Sequence, residues 1–416
     1  MSIDMNPSRS IARRYIVFTA FFSTIFWVPV FFEVQRHFSV SIESIYRIQS
    51  IYYFFFCFVE IPTGLFADRF GNKLSMIVGS FVCAMSHAAP LLFPTSTGFL
   101  GQFLCLALGR SLVSGAASSW LYISLQKHGA LERYTFLEGR ARSVALMVRV
   151  FAWTVAGYLH AANPLMNYGL SAFCALAAMF IMMSFREDNA EEARVDVVSP
   201  RPTTPKLWTQ LSYLRKGVRP EFLALILQGV GLFLMVRLVE VNLFQPLLKW
   251  KLFPIQSFGI ILAAMSICEA LGSNTSGSLW FSNVSRTFKS PAVTVAILAS
   301  LMAFSLGNLS FAPQWGVLSL MFLFAFMTGL CFPLQKKLIQ SQIDDNQVRA
   351  SLLSLESLVD RGLCALILLP VGYYVEAKQF SLLFVTLATI SILIILCGTL
   401  SFTWLSTKGG LQRQSR

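Results

Sequence analysis

Ionisable side chains stand inside long apolar runs of this 416-residue chain. Arg237 and Glu240 are three residues apart, which puts them on one face of a helix. Glu269 lies within the next apolar run, and Arg110 and Arg149 each interrupt an earlier one. Glu356, Asp360 and Arg361 form a cluster near the start of another run, its two acids four apart, and Glu33 sits toward one end of the first. A charge near the centre of a bilayer costs at least about 2.5–3.5 kcal/mol, so each of these groups needs a partner or a wet cavity. In such a cavity a desolvated carboxylate can bind a proton, and arginines attract an anionic or zwitterionic group. Glu240 and Glu269, then Glu33, are the proton-binding candidates; Arg110, Arg149 and Arg237 are the anion-binding ones. Asn242 and Gln245 add polar groups beside Pro246. The competing reading is ion pairing that only holds helices together. It suits Glu356, Asp360 and Arg361 best, and for Arg149 the two readings balance.

The elements that position these groups follow from composition. The chain is 55% hydrophobic and 13% charged, with a mean hydropathy of +0.63. A soluble domain carries about 25% charged residues, so the apolar excess must face lipid. The apolar blocks run about 20 to 25 residues without alternation, which predicts spanning helices and excludes the shorter alternating strands of a barrel. Twelve spans are expected: 14–35, 44–66, 74–93, 98–124, 141–161, 165–185, 220–247, 255–280, 291–311, 315–335, 350–375 and 379–405. The most polar stretch, 186–219, reads as a linker and divides the chain into bundles at 1–185 and 220–416. About 24 of the 33 basic residues fall on the side that holds both termini and this linker. That side is therefore expected to be cytoplasmic.

The halves resemble each other. Ile42 and Ser44 match Ile255 and Ser257, 213 positions on, and Thr63-Gly64 matches Ser276-Gly277 at the same offset. Ser114-Gly115 matches Thr328-Gly329, and Gly157-Tyr158 matches Gly372-Tyr373, at offsets of 214 and 215. A register kept across six helices predicts two parallel six-helix repeats.

Between the second and third spans the sequence reads Gly64-Leu65-Phe66-Ala67-Asp68-Arg69-Phe70-Gly71-Asn72-Lys73. This resembles the major facilitator superfamily loop motif Gly-x-x-x-Asp-x-x-Gly-Arg-Lys, matching at Gly64, Asp68, Gly71 and Lys73, with Asn72 at the usual arginine. With the preceding Glu60-Ile61-Pro62-Thr63, the run is similar to a bacterial branch of that family. The stretches Ser114–Leu125 and Arg349–Leu358 are similar to the fourth-span and eleventh-span patterns of the same branch. The resemblance implies an all-α membrane protein of twelve helices in two pseudo-symmetric bundles. It further implies transport by alternating access around a central cavity, with Asp68 and Arg69 in a loop that latches the cytoplasmic gate. Gly64 and Gly71 would allow close helix approach and a tight turn. The Gly-Pro pair found in the fifth span of many drug antiporters of the family is absent.

Two functions stay open. One is proton-coupled export of a small amphipathic organic molecule, such as a drug, natural product or siderophore-like compound. The other is import of an anionic or siderophore-like solute. The expected partners are the small-molecule substrate, protons and the lipid bilayer of a bacterial inner membrane, with a monomeric chain. The +13 net charge is explained by loop residues that fix topology, and no basic-aromatic stretch suggests nucleic acid. No cofactor, catalytic constellation or metal-ligand spacing is read. His37, His87 and His160 lie near span ends and His128 in a loop, which makes interfacial positions the expectation for all four. The eight cysteines lie within apolar runs as small packing residues.

Overall fold

The computed structural model describes residues 7–185, 220–276, 290–342 and 346–414. Every regular element among them is helical, and twelve helices are long and apolar enough to cross a membrane. We number these spans in order: Ser10–His37, Ile42–Phe70, Asn72–Leu92, Ser96–Lys127, Leu131–Ala162, Met166–Met183, Pro220–Trp250, Ile255–Ser276, Pro291–Asn308, Gln314–Ser341, Leu358–Glu376 and Phe380–Thr407. Several outrun their expected bounds; the second starts at Ile42 and ends at Phe70 rather than covering 44–66. An apolar window registers only the hydrocarbon core of about 30 Å, and the helices continue past it. The expected linker 186–219 and the repeat glycine Gly277 lie outside the described residues.

Local chemistry fixes the helix ends. Ser41 Oγ accepts the backbone N–H of Ser44 at 3.2 Å and starts the second span. Thr95 Oγ1 does the same for Gly98 at 3.3 Å before the fourth. Gly71 alone joins the second and third spans, with φ +92° and ψ +150°, a conformation nearly confined to glycine.

The described residues fall into two compact units. One holds the chain up to Phe185 together with Phe244–Ala264 and Ala365–Ala377. Near the Gly71 turn its core packs Tyr15, Phe18, Met76, Trp120 and Leu121. Its third and fourth spans meet backbone to backbone: a Cβ on Gly79 would lie 2.8 Å from the Gly109 carbonyl oxygen, and the converse distance is also 2.8 Å. In the same unit Gly157 of the fifth span lies against Ile255 and Gln256, while Gly372 of the eleventh lies against Glu43 and Tyr46. Gly157 and Gly372 are matched in the sequence repeat, and so are the chain positions they touch. The repeat is therefore one of contacts as well as of residues.

The second unit holds the chain from Pro220 to Leu243, the described part of Met265–Cys364, and the twelfth span. Phe222, Leu225, Ile226, Val230, Ala292 and Ile339 form a core. Buried amides tie its helices together. Gln228 donates to Ala292 O and Thr399 Oγ1, both at 2.8 Å, and Gln335 donates to Leu225 O at 2.7 Å.

Candidate functional site

The first span is broken. Residues 24–27 leave the helix, Val28–Val30 form a short 3-10 turn, and the helix resumes at Phe31. Pro29 has no N–H to offer and enforces the interruption. A break at membrane depth leaves polar backbone groups that need partners. Phe26 N–H donates to Ser171 Oγ at 2.9 Å, and Ile25 O accepts Trp153 Nε1 at 3.0 Å. Gln245 serves two groups: its Nε2 donates to Val28 O, and its Oε1 accepts the Phe32 N–H, both at 2.9 Å. One residue past Phe32 and one turn past Gln245, Lys249 Nζ pairs with Glu33 Oε2. Glu33 is 8% exposed, and its Oε1 is buried without a hydrogen-bond partner.

The seventh span departs from α-helix at the matching place. Arg237–Leu243 forms a π-helical segment, and its positions are those of the first-span break shifted by the repeat offset of 213. Asn242 Nδ2 donates to Arg237 O at 3.0 Å and spans this wider turn. Such segments within α-helices are frequent at functional sites. Arg237 Nε donates to Asp360 Oδ2 at 2.9 Å, and Nη2 contacts the same oxygen. Glu240 Oε1 is buried without a hydrogen-bond partner, and the charge of Glu269, on the eighth span, reaches it. One stretch of seven residues thus carries an ion-paired arginine and a carboxylate with a buried, unbonded oxygen.

The remaining expected residues lie elsewhere. Arg110 is exposed, with its charge reaching His87 and Cys83. The Arg149 guanidinium sits 5.6 Å from the centre of the Trp153 ring, whose indole N–H caps the first-span break. Arg361 is half-buried beside Asp360 in sequence. Glu356 belongs to the same helix, but its side chain lies outside the described residues. In the Gly71 turn Asp68 and Arg69 are exposed, and Arg69 lies 5.4 Å from the Phe70 ring centre. Lys73 Nζ donates to Phe185 O at 2.5 Å and so caps the end of the sixth span. A Cβ on Gly64 would meet nothing within 4 Å; no close approach demands glycine there.

Two of the histidines expected at interfaces are enclosed by protein instead: His160 is 9% exposed, and His87 is 3% exposed, its Nδ1 accepting Trp27 Nε1 at 3.1 Å. Position along the chain misled here, because Trp27 brings a buried donor that needs an acceptor. Trp27 also stacks on Tyr168 with ring centres 5.6 Å apart. Sequence reasoning missed Lys249, taken only as a loop charge, and Glu138. Glu138 accepts Tyr15 OH at 2.7 Å and Ser118 Oγ at 3.1 Å. A charged or amide residue at the edge of an apolar run was the available signal.

The family model of the Major Facilitator Superfamily matches residues 15–356. The chain belongs to the major facilitator superfamily. No curated protein matches the chain. Among solved structures it is similar to the nucleoside transporter NupG, with 15% identity and a TM-score of 0.74 over 96% of this chain and 99% of that one. It is similar to the POT family transporter PepTSo, with 11% identity and a TM-score of 0.71 over 98% and 99%. A bacterial metal transporter gives 16% identity and a TM-score of 0.60 over 97% and 100%. At these identities the likeness is one of fold. The chain is a multi-pass membrane transporter with the superfamily fold.

Proposed function

We propose that this transporter is a proton-coupled antiporter that exports a small amphipathic organic molecule, of drug, natural-product or siderophore-like type, by alternating access. The observation that carries the reading is Glu240. Its Oε1 is buried and without a hydrogen bond, in the π-segment of a spanning helix, within reach of the Glu269 charge. Two like charges in a low-dielectric interior repel, and one shared proton removes the repulsion. A solute that competes for the same place would then be exchanged for that proton. In this reading Glu240 and Glu269 carry the proton, Glu33 stands as a third candidate, and the Arg237–Asp360 pair shapes the π-segment. Arg110 and Arg149 meet the anionic part of the solute, with Asn242 and Gln245 adding polar lining.

The rest of the reading is of a piece. The chain works as a monomer in a bacterial inner membrane, both termini cytoplasmic, with bundles at 1–185 and 220–416 joined by 186–219. In this reading the Gly64–Lys73 stretch, two helix ends joined at Gly71, acts as the cytoplasmic latch, and its similarity to the bacterial branch named above supports membership there.

Inverted vesicles with an inside-acid gradient test this. Wild-type protein is expected to accumulate one class from a labelled panel of lipophilic cations, zwitterions and siderophore-like anions. A protonophore and Glu240→Gln should each abolish the accumulation. Uptake that survives Glu240→Gln would return Glu240 to packing. Transport seen only in right-side-out vesicles would replace export with the second reading, import of an anionic solute, which the exposed Arg110 favours.

A further inference from the structure

The broken first span has its polar groups served from two sources. Phe26 N–H, Ile25 O and the Trp27 indole find partners on the sixth, fifth and third spans. Val28 O and Phe32 N–H are both served by Gln245, from the seventh span. A carboxamide is chemically a peptide unit: one donor and one acceptor, fixed side by side. In an unbroken helix Phe32 N–H would bond to Val28 O directly, four residues back. Here Gln245 is inserted between those two groups and satisfies both. It is 1% exposed, and Phe32 is 3% exposed. Water does not replace it cheaply in that setting, because a buried donor or acceptor left unmade carries its full desolvation penalty.

We propose that Gln245 is a positioning residue that closes this end of the transporter by standing in for the missing peptide–peptide bond of the first span. The first and seventh spans part here only by giving up both bonds at once. The Lys249–Glu33 pair, a turn past Gln245 and next to Phe32, adds a charge contact in the same place. The pair is the weaker partner, because Lys249 is 58% exposed on its side chain and screened by solvent. The chemistry is narrow. Leucine offers neither group. Ionised glutamate accepts from Phe32 and repels Val28 O, whereas protonated glutamate donates to one and accepts from the other, as glutamine does. The superfamily's alternating access is assumed; the role of Glu240 is not.

The test uses the full chain in lipid nanodiscs with Val30→Cys as a reporter. Val30 is fully buried and lies three residues before Glu33, on the same face of the segment. Alkylation at that residue by a membrane-impermeant thiol reagent is read by mass spectrometry. Rates are normalised at each pH to Leu252→Cys, since Leu252 is 83% exposed. With Gln245 intact, labelling should be slow and flat with pH. Gln245→Leu should speed it about tenfold or more. Gln245→Glu should label as slowly as the parent in acid and as fast as Gln245→Leu in alkali. Should Gln245→Leu fail to fold, the acid-to-alkali comparison within the single Gln245→Glu preparation still decides. Parent-like rates at every pH in Gln245→Glu, or fast rates without pH dependence, would overturn the proposal. Because accessibility is measured rather than transport, failure here leaves the proton-coupling reading standing, and the converse also holds.

Discussion

Arg237 of the seventh span aims both Nε and Nη2 at a single oxygen of Asp360 in the eleventh, Oδ2, while Asp360 Oδ1 stays buried without a hydrogen bond. The geometry is side-on rather than the two-oxygen fork that an arginine and a carboxylate can form. Asp360 is 3% exposed, so the guanidinium takes the place of solvent at Oδ2.

Removing one member of that pair should therefore hurt more than removing both. Breaking a buried pair typically costs about 3–5 kcal/mol, and replacing both members with apolar residues often costs far less. Asp360→Leu and Arg237→Met are each expected to lower stability toward that range. Arg237→Met with Asp360→Leu should fall well short of their sum. Denaturant unfolding in detergent, arranged as a double-mutant cycle, reads the coupling directly. Additive effects would mean that the two side chains do not depend on each other.

Much of this architecture could be read from residue order. The twelve spans came from block length, and the Gly71 turn from its motif. The 213-position offset ties the first-span break to the π-segment, since 24–30 and 237–243 correspond. Pro29 announces the first break, but no proline lies within Arg237–Leu243, so the π-segment itself was not legible. Arg237 and Asp360 were visible as charges in the wrong medium, yet their pairing spans 123 positions, and helical spacing says nothing at that separation. Glu33 and Lys249 were invisible as a pair for the same reason. Gln245 was read as lining for a cavity, because an amide in an apolar run shows its polarity but not which backbone it meets.

The glycines of the Gly71 turn should separate sharply on substitution. Gly71 sits at φ +92° and ψ +150°, where a side chain costs about 1–3 kcal/mol. Gly71→Ala should lose stability in that range. Gly64→Ala, inside the helix Ile42–Phe70 and with nothing within 4 Å of the added methyl, should be stabilising by up to about 1 kcal/mol. Thermal unfolding of the two variants side by side gives the answer. A destabilised Gly64→Ala would point to a close approach that this conformation does not contain.

His87 offers a cleaner hydrogen-bond experiment. Its Nδ1 takes the Trp27 indole N–H at 3.1 Å in a buried setting, so the ring's proton belongs on Nε2. His87→Leu leaves the indole donor orphaned and should cost about 1–3 kcal/mol. His87→Gln, whose side-chain oxygen can accept the same proton, should recover part of that loss. Equal losses in both variants would assign His87 to packing against Trp27 instead of to the bond.

Gly259 controls the cap on the first-span break from a distance. A Cβ there would collide with the Trp153 carbonyl oxygen, and that clash is with backbone, which cannot rotate aside. Trp153 is also the residue whose Nε1 holds Ile25 O at 3.0 Å. Gly259→Ala should therefore push the fifth span away and stretch that bond, beyond any effect on helix propensity, which by itself favours alanine by about 1 kcal/mol. The expected outcome is net destabilisation with altered Trp153 fluorescence. Trp153→Phe, which removes the donor but leaves the helix crossing intact, should weaken the break without separating the helices. If Gly259→Ala proves stabilising, the fifth and eighth spans are not in the contact that the glycine permits, and the cap on Ile25 is independent of it.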